Sequence, residues 1–422
     1  MYTEKYLIKK ATPLSGTVEI SGSKNAALPV LAASLLCSDK ITVLNVPKLS
    51  DVDVMLDLLA YFGADVKRSA DTVTVDCGSV QNRTPEYETA KKIRASFLLA
   101  GALLGRFGSC SMPMPGGCGI GLRPVDLHLK GFSAMGADIT LEHGLVHISA
   151  PRLHGVSIYL DFPSVGATEN IMLAAVYAKG DTCICNCATE PEIVDLAAFI
   201  NKMGGKIEGA GTDSITVHGV GSLSGCSYGI LPDRIEAGTY MLMAAAVSGS
   251  DLCIKNVVPQ HLAPVIHKLN ETGIKIITGE DLIRVDSCGG IKNTDIKTLP
   301  YPGFPTDMQA QFMALMTTGK GSGIVRETVF ENRFMYVSEL NRMGADIKID
   351  GRSAVVNGVS HLSGTAVKAT DLRAGAALVT AALMAEGTTE IGEIHHIDRG
   401  YENLEEKLRG IGVDICRIRE EQ

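Results

Sequence analysis

The residues best placed for chemistry surround a single cysteine, in Pro115-Gly116-Gly117-Cys118-Gly119-Ile120-Gly121-Leu122-Arg123-Pro124. Glycines on both sides remove bulk and permit positive φ, so the thiol can be presented on an accessible loop. Arg123 follows five residues later, and Pro124-Val125-Asp126-Leu127 reads as the first turn of a helix with Pro at a tolerated position. A guanidinium and a helix N-terminus both lower a thiol's pKa, which suits a proton donor or a nucleophile. The competing reading is a surface loop with an incidental cysteine, because free cysteines are usually buried and inert. A second set is cationic. Ser23-Lys24-Asn25, Arg94, Thr168, Arg234, Thr306-Asp307 and Asp371-Leu372-Arg373 each precede an apolar stretch rich in small residues. Capping accounts for Thr168 and Thr306. It accounts poorly for Lys24, Arg94 and Arg373, since the helix dipole disfavours cations at an N-terminus. Three such residues in equivalent slots point to anion binding.

The apolar stretches that must position these groups recur through the chain. They cover residues 28–36, 97–104, 171–178, 240–247, 312–317 and 376–385, and read as fully buried helices packed close against sheets. In phase with them runs a helix-ending motif of an apolar residue or Thr, Gly and a short strand, with its glycine at Gly63, Gly136, Gly204, Gly273, Gly344 and Gly412. Gly at that point suits the left-handed residue that closes a helix. Each unit reads as roughly βαβαββ, and six copies span the chain. A Gly-, Ser- and Pro-containing stretch over 219–232 separates the third copy from the fourth and is the expected domain junction. A further repeated slot follows the strand after each buried helix. It holds Cys118 and Arg123 in copy two and Glu327 to Arg333 in copy five. In copy six it holds His395-His396-Ile397-Asp398-Arg399-Gly400-Tyr401-Glu402. Adjacent histidines are expected to diverge, which leaves at most one as a metal ligand.

Composition bounds the class. The chain has 422 residues, 45% of them hydrophobic, with a net charge of −8, 5% aromatic residues and no Trp. That balance argues against disorder and broad nucleic-acid binding. No apolar run reaches the roughly 18 residues of a membrane span, and residues 1–10 lack a signal-peptide core. Eleven cysteines without paired spacing argue against a disulfide framework, so a reduced, cytoplasmic protein is expected. Cys183, Cys185 and Cys187 alternate as strand residues do, all on one face, which disfavours zinc. No P-loop is present and no Gly-x-Gly-x-x-Gly convincingly follows a strand, so ATP hydrolysis and nicotinamide chemistry lack a motif.

In its motifs the whole chain resembles the UDP-N-acetylglucosamine 1-carboxyvinyltransferase family. The carriers are Ser21 to Ala27, Pro115 to Cys118, Arg123 to His128, Ser164 to Thr168 and Glu190 to Asp195, then Gly303 to Gln311, Glu327 to Phe334 and His396 to Tyr401. The resemblance implies an α/β fold, the inside-out α/β prism, with six βαβαββ repeats in two domains. These would be residues 22–230, and residues 1–21 with 231–422, with the active site in the cleft between them. It also implies transfer of the enolpyruvyl group of phosphoenolpyruvate to the 3′-hydroxyl of UDP-N-acetylglucosamine, with release of phosphate. By the family pattern Cys118 donates the proton and Asp307 is the base. Lys24 and Asn25, with Arg94, Arg123, Arg333, Arg373 and Arg399, hold the anionic charges, Lys24 and Arg399 acting catalytically. Arg123, Pro124, Val125, Asp126 and Leu127, with Ser164, Val165, Gly166, Asp307 and Val329, hold the nucleotide-sugar. No metal or organic cofactor, nucleic acid or membrane is implied.

Two departures from relatives bear on this. Some relatives carry Lys where Phe162 or Pro163 stands, so phosphate contacts there would fall to backbone N–H groups. Gly119 replaces a Thr of some relatives. Two rivals are a shikimate-pathway enolpyruvyl synthase, which lacks the Cys118 loop, and a non-catalytic nucleotide-sugar-binding paralogue. The joint presence of Lys24, Cys118, Asp307 and Arg399 speaks against the paralogue.

Overall fold

The computed structural model describes residues 2–115 and 125–421, so Cys118, Arg123 and Pro124 lie outside the described residues. The described residues form two compact units, 22–115 with 125–231 and 2–21 with 232–421. Each has its own apolar core.

In the amino-terminal unit the central helices are Lys24–Ala33, Leu98–Phe107 and Val165–Ala175, apolar on nearly every side. Small residues let two of them approach backbone to backbone. A Cβ on Gly101 would lie 2.2 Å from Asn170 O, and one on Gly105 3.0 Å from Leu173 O. These helices therefore pack against one another as well as against the sheets, a contact the sequence reading did not include. Three sheets complete the unit, and their strands alternate buried with exposed positions, as Asp181–Cys185 does.

The carboxy-terminal unit repeats the plan with Arg234–Ala246, Gln309–Met316 and Leu372–Met384 as its central helices. Among the described residues, five of the six sheets share one topology. Strand one runs parallel to strand two, which pairs antiparallel with strand four, and strand four pairs antiparallel with strand three. The strands Ser157–Tyr159, Asp181–Cys185, Lys206–Glu208 and Ser214–His218 show it. The sheet of Ser109–Pro113, Asp138–Glu142 and Leu145–Ser149 has three strands among the described residues.

Two sheets are closed by distant segments. Strand Tyr2–Lys9 sits between Thr388–Gly392 and Ile415–Glu421, so both chain ends meet in one sheet. Strand Ser227–Gly229, inside the expected junction, pairs parallel with Lys40–Leu44 and completes the first sheet. The helix-closing glycines all adopt the left-handed conformation, with φ between 95 and 104° at Gly63, Gly136, Gly204, Gly273, Gly344 and Gly412.

Candidate functional site

In the carboxy-terminal unit Asp307 lies on the short 3-10 turn Thr306–Met308 that leads into helix Gln309–Met316. Both its oxygens are held by guanidiniums. Arg333 Nη2 donates to Oδ1 at 2.8 Å and Arg373 Nη2 to Oδ2 at 3.0 Å. Both arginines are buried while Asp307 stays partly open, its side chain 27% exposed. Arg373 enters helix Leu372–Met384 behind its N-cap, Asp371, which accepts from Arg373 N and Ala374 N. Its second nitrogen donates to Tyr401 Oη at 3.3 Å. That phenol, 2.9 Å from Thr239 Oγ1, also accepts from Gln311 Nε2 at 3.2 Å. The fully buried Tyr401 ring thus fixes the arginine from behind.

Glu327, 1% exposed, ties two expected substrate-binding segments together. Its Oε2 accepts from Thr306 Oγ1, next to Asp307, at 2.9 Å. Its Oε1 accepts from Thr298 Oγ1 and from the backbone of Val329 at 2.8 Å and Phe330 at 3.1 Å. Thr306 is therefore a Glu327 ligand and not a helix cap, because the preceding Pro305 occupies the cap position. Arg399 ends the 3-10 turn Ile394–Arg399 and is half-buried. The His395 and His396 rings beside it lie 4.1 Å apart at a 38° tilt, so on this tight turn the neighbours do not diverge.

In the amino-terminal unit Ser23 caps helix Lys24–Ala33 and Lys24 is its first residue. The buried ammonium of Lys24 lies 2.6 Å from Asp51 Oδ2. A carboxylate thus offsets the unfavourable dipole at Lys24, as one does at Arg373, and in each case the sequence reading missed that partner. Asn25 beside Lys24 is half-buried. Arg94 opens the 3-10 turn Arg94–Phe97, and Asp126 the helix Asp126–Ala134 after Val125. Val125 is buried, Leu127 half-buried and Asp126 exposed.

Ser164 caps helix Val165–Ala175 by accepting from Ala167 N. Thr168, expected at the cap, lies inside that helix and accepts from Ala188 N at 3.0 Å, which anchors the segment leading to Glu190. Gly166 faces His128, whose Cε1 would lie 3.3 Å from a Cβ there. Burial, aided by the charge of Arg94, pushes the His128 pKa down to about 3, so this imidazole is neutral. Asn170 Nδ2 donates to its Nδ1 at 2.9 Å, which leaves Nε2 as the N–H. His128 was within a quoted motif but was not singled out as a site residue. Neither were Asp51, Glu327, Tyr401 or Gln311, because their roles depend on partners far away in the sequence.

Each unit thus carries cations and carboxylates at or near the starts of its central helices. A family model described as EPSP synthase (3-phosphoshikimate 1-carboxyvinyltransferase) matches residues 8–408. The enolpyruvyl transferase NikO from Streptomyces tendae superposes with a TM-score of 0.91 at 26% identity, over 100% of both chains. The fold is that of the enolpyruvyl transferases.

Sequence relatives narrow the class. UDP-N-acetylglucosamine 1-carboxyvinyltransferase 1 of Caldanaerobacter subterraneus subsp. tengcongensis is 57% identical over 98% of this chain and 99% of its own. The corresponding protein 1 of Staphylococcus aureus (strain MRSA252) is 52% identical over the same shares. The chain belongs to the UDP-N-acetylglucosamine 1-carboxyvinyltransferase family.

Proposed function

We propose that this enzyme transfers the enolpyruvyl group of phosphoenolpyruvate to the 3′-hydroxyl of UDP-N-acetylglucosamine and releases phosphate, the first committed step of peptidoglycan precursor synthesis. On that reading it acts in the cytoplasm, serves cell-wall growth, cell shape and division, and is a target of fosfomycin. The observation that carries the mechanism is Asp307 held between Arg333 and Arg373.

The reaction needs a proton on the terminal carbon of phosphoenolpyruvate, and Cys118 supplies it, which makes C2 cation-like. The sugar hydroxyl then attacks C2 as Asp307 takes its proton. Loss of a proton from the terminal carbon and of the phosphate group restores the double bond. Lys24, Arg94, Arg123 and Arg399 balance the phosphate and carboxylate charges, and bidentate guanidiniums suit both groups. Asn25, Pro124, Val125, Asp126, Leu127, Ser164, Val165, Gly166 and Val329 hold the substrates.

The arginine pair gives this site an order of events. Guanidiniums engage both Asp307 oxygens. The anionic groups of phosphoenolpyruvate compete for Arg333 and Arg373, and as those contacts transfer to substrate an Asp307 oxygen becomes available.

Phosphate release on mixing both substrates tests the activity, and no release would overturn it. Cys118→Asp keeps an acid but removes the soft nucleophile, so it should turn over while escaping covalent labelling by fosfomycin. Cys118→Ser, a far weaker acid, should lose most activity. Peptide mapping that places the label on another cysteine, or a fully active Cys118→Ser enzyme, would remove Cys118 from the proton-donor role.

A further inference from the structure

The proposed mechanism uses one thiol, yet two others face each other on a sheet of the amino-terminal unit. Strand Asp181–Cys185 lies between Ser157–Tyr159 and Ser214–His218. Thr182 and Ile184 point into the core, while Cys183 and Cys185 share the opposite, half-exposed face. Their sulfurs are 3.6 Å apart. Ser214 Oγ lies 3.4 Å from Cys183 Sγ, and Ser157 Oγ lies 4.0 Å from Cys185 Sγ. The Ser214 hydroxyl holds the Cys183 pKa below its ordinary value against the opposing effect of burial, with Cys185 and Thr216 assisting. Cys187 does not extend the row as the alternation suggested. Asn186 takes a positive φ of 54° after the strand, and the buried Cys187 thiol donates to Thr212 O at 3.3 Å.

We propose that Cys183 and Cys185 form a vicinal dithiol site for soft, thiophilic trivalent centres of the organoarsenic class, separate from the transferase chemistry. The sulfur spacing selects this class. Two residues apart on one extended strand, Cys183 and Cys185 have Cα atoms about 6.6 Å from each other, at the wide end of what a disulfide bond spans. Two bonds of about 2.3 Å from sulfur to one pyramidal trivalent centre, at an angle of about 100°, span about 3.5 Å, close to what the strand presents.

Composition of the site selects it as well. No group of three or more His, Cys, Asp or Glu able to hold a metal ion occurs among the described residues. A trivalent organoarsenical needs only two protein sulfurs, because its third bond goes to its own carbon. Thiolates prefer such soft partners. The step balances without an oxidant. The arsenic–oxygen bond of an arsine oxide breaks, two arsenic–sulfur bonds form, and both thiol protons leave with the oxygen as water, arsenic remaining trivalent.

Phenylarsine oxide, added to the full chain and followed by a wash with excess monothiol, tests the site by intact mass and peptide mapping. One arsenical per chain should survive the wash, bridge Cys183 and Cys185, and leave with 2,3-dimercaptopropanol. Cys183→Ser and Cys185→Ser should each lower retention at least about tenfold, because a single thiol loses the effective concentration of its neighbour. Cys187→Ser should retain the arsenical as the unsubstituted chain does. Undiminished retention in both single variants, loss in Cys187→Ser, or an adduct mapped to another cysteine would overturn the assignment.

Discussion

Two titratable side chains carry predictions at the scale of the single residue. Asp307→Asn preserves shape and hydrogen bonding but cannot take up the sugar proton. Turnover should fall about 10²–10⁴-fold, with nucleotide-sugar affinity changed far less. Steady-state kinetics beside a binding isotherm checks this, and near-normal turnover would reduce Asp307 to a sugar-positioning role. Asp195 shows how far burial alone can act. Its carboxyl, 8% exposed, accepts from Tyr228 Oη at 2.8 Å, and burial still pushes its pKa up to about 6. A carboxyl with a raised folded-state pKa stabilises the fold below its unfolded value of about 3.9, and that contribution is lost as pH rises through 6. Thermal melts should therefore show the unsubstituted chain losing stability relative to Asp195→Asn between pH 4 and pH 6. A constant gap across that window would contradict the burial argument.

Among the elements, the central helices depend on glycines where two backbones touch. Gly101 donates its N–H to Asn170 Oδ1 at 2.7 Å, and a Cβ there would lie 2.3 Å from that same oxygen. Gly101→Ala should gain about 1 kcal/mol of helix propensity but lose more to the clash, for a net destabilisation of about 1–3 kcal/mol. Chemical denaturation reads the outcome, and a stabilised variant would show that helices Leu98–Phe107 and Val165–Ala175 are not so close. Asn170 also sets the His128 tautomer, so this approach of two helices reaches the expected nucleotide-sugar segment. The small-residue bias of these helices was legible in the sequence. Their contact with one another was not, because a periodic apolar pattern shows that a helix is buried without showing its neighbour.

For the whole molecule, strand Tyr2–Lys9 is the internal strand between Thr388–Gly392 and Ile415–Glu421, and Ser15–Glu19 pairs with Asp251–Lys255. Deleting residues 1–21 removes strands from two sheets of the carboxy-terminal unit and none from the amino-terminal unit. Limited proteolysis with mass mapping should find cleavage spread over 232–421 while 22–231 stays protected. Equal protection of both regions would show that the carboxy-terminal unit folds without its amino-terminal strands.

The sequence by itself carried the sixfold period, the six left-handed glycines and the cationic slots at the helix starts. Each of these is written in neighbouring residues, through side-chain periodicity, glycine's conformational freedom and the helix dipole. The family motifs were equally local, and they carried the class of chemistry. Tertiary structure alone decided the rest. It gave Lys24 and Arg373 their carboxylate partners, Asp51 and Asp307, and put Glu327 between Thr306 and Val329. It moved the cap from Thr168 to Ser164 and brought the Cys183 and Cys185 sulfurs together while turning Cys187 away. Hydrogen bonds and ion pairs of this kind join positions fixed by strand pairing and helix packing across long stretches of chain, and no local pattern of residue types encodes which distant group will arrive.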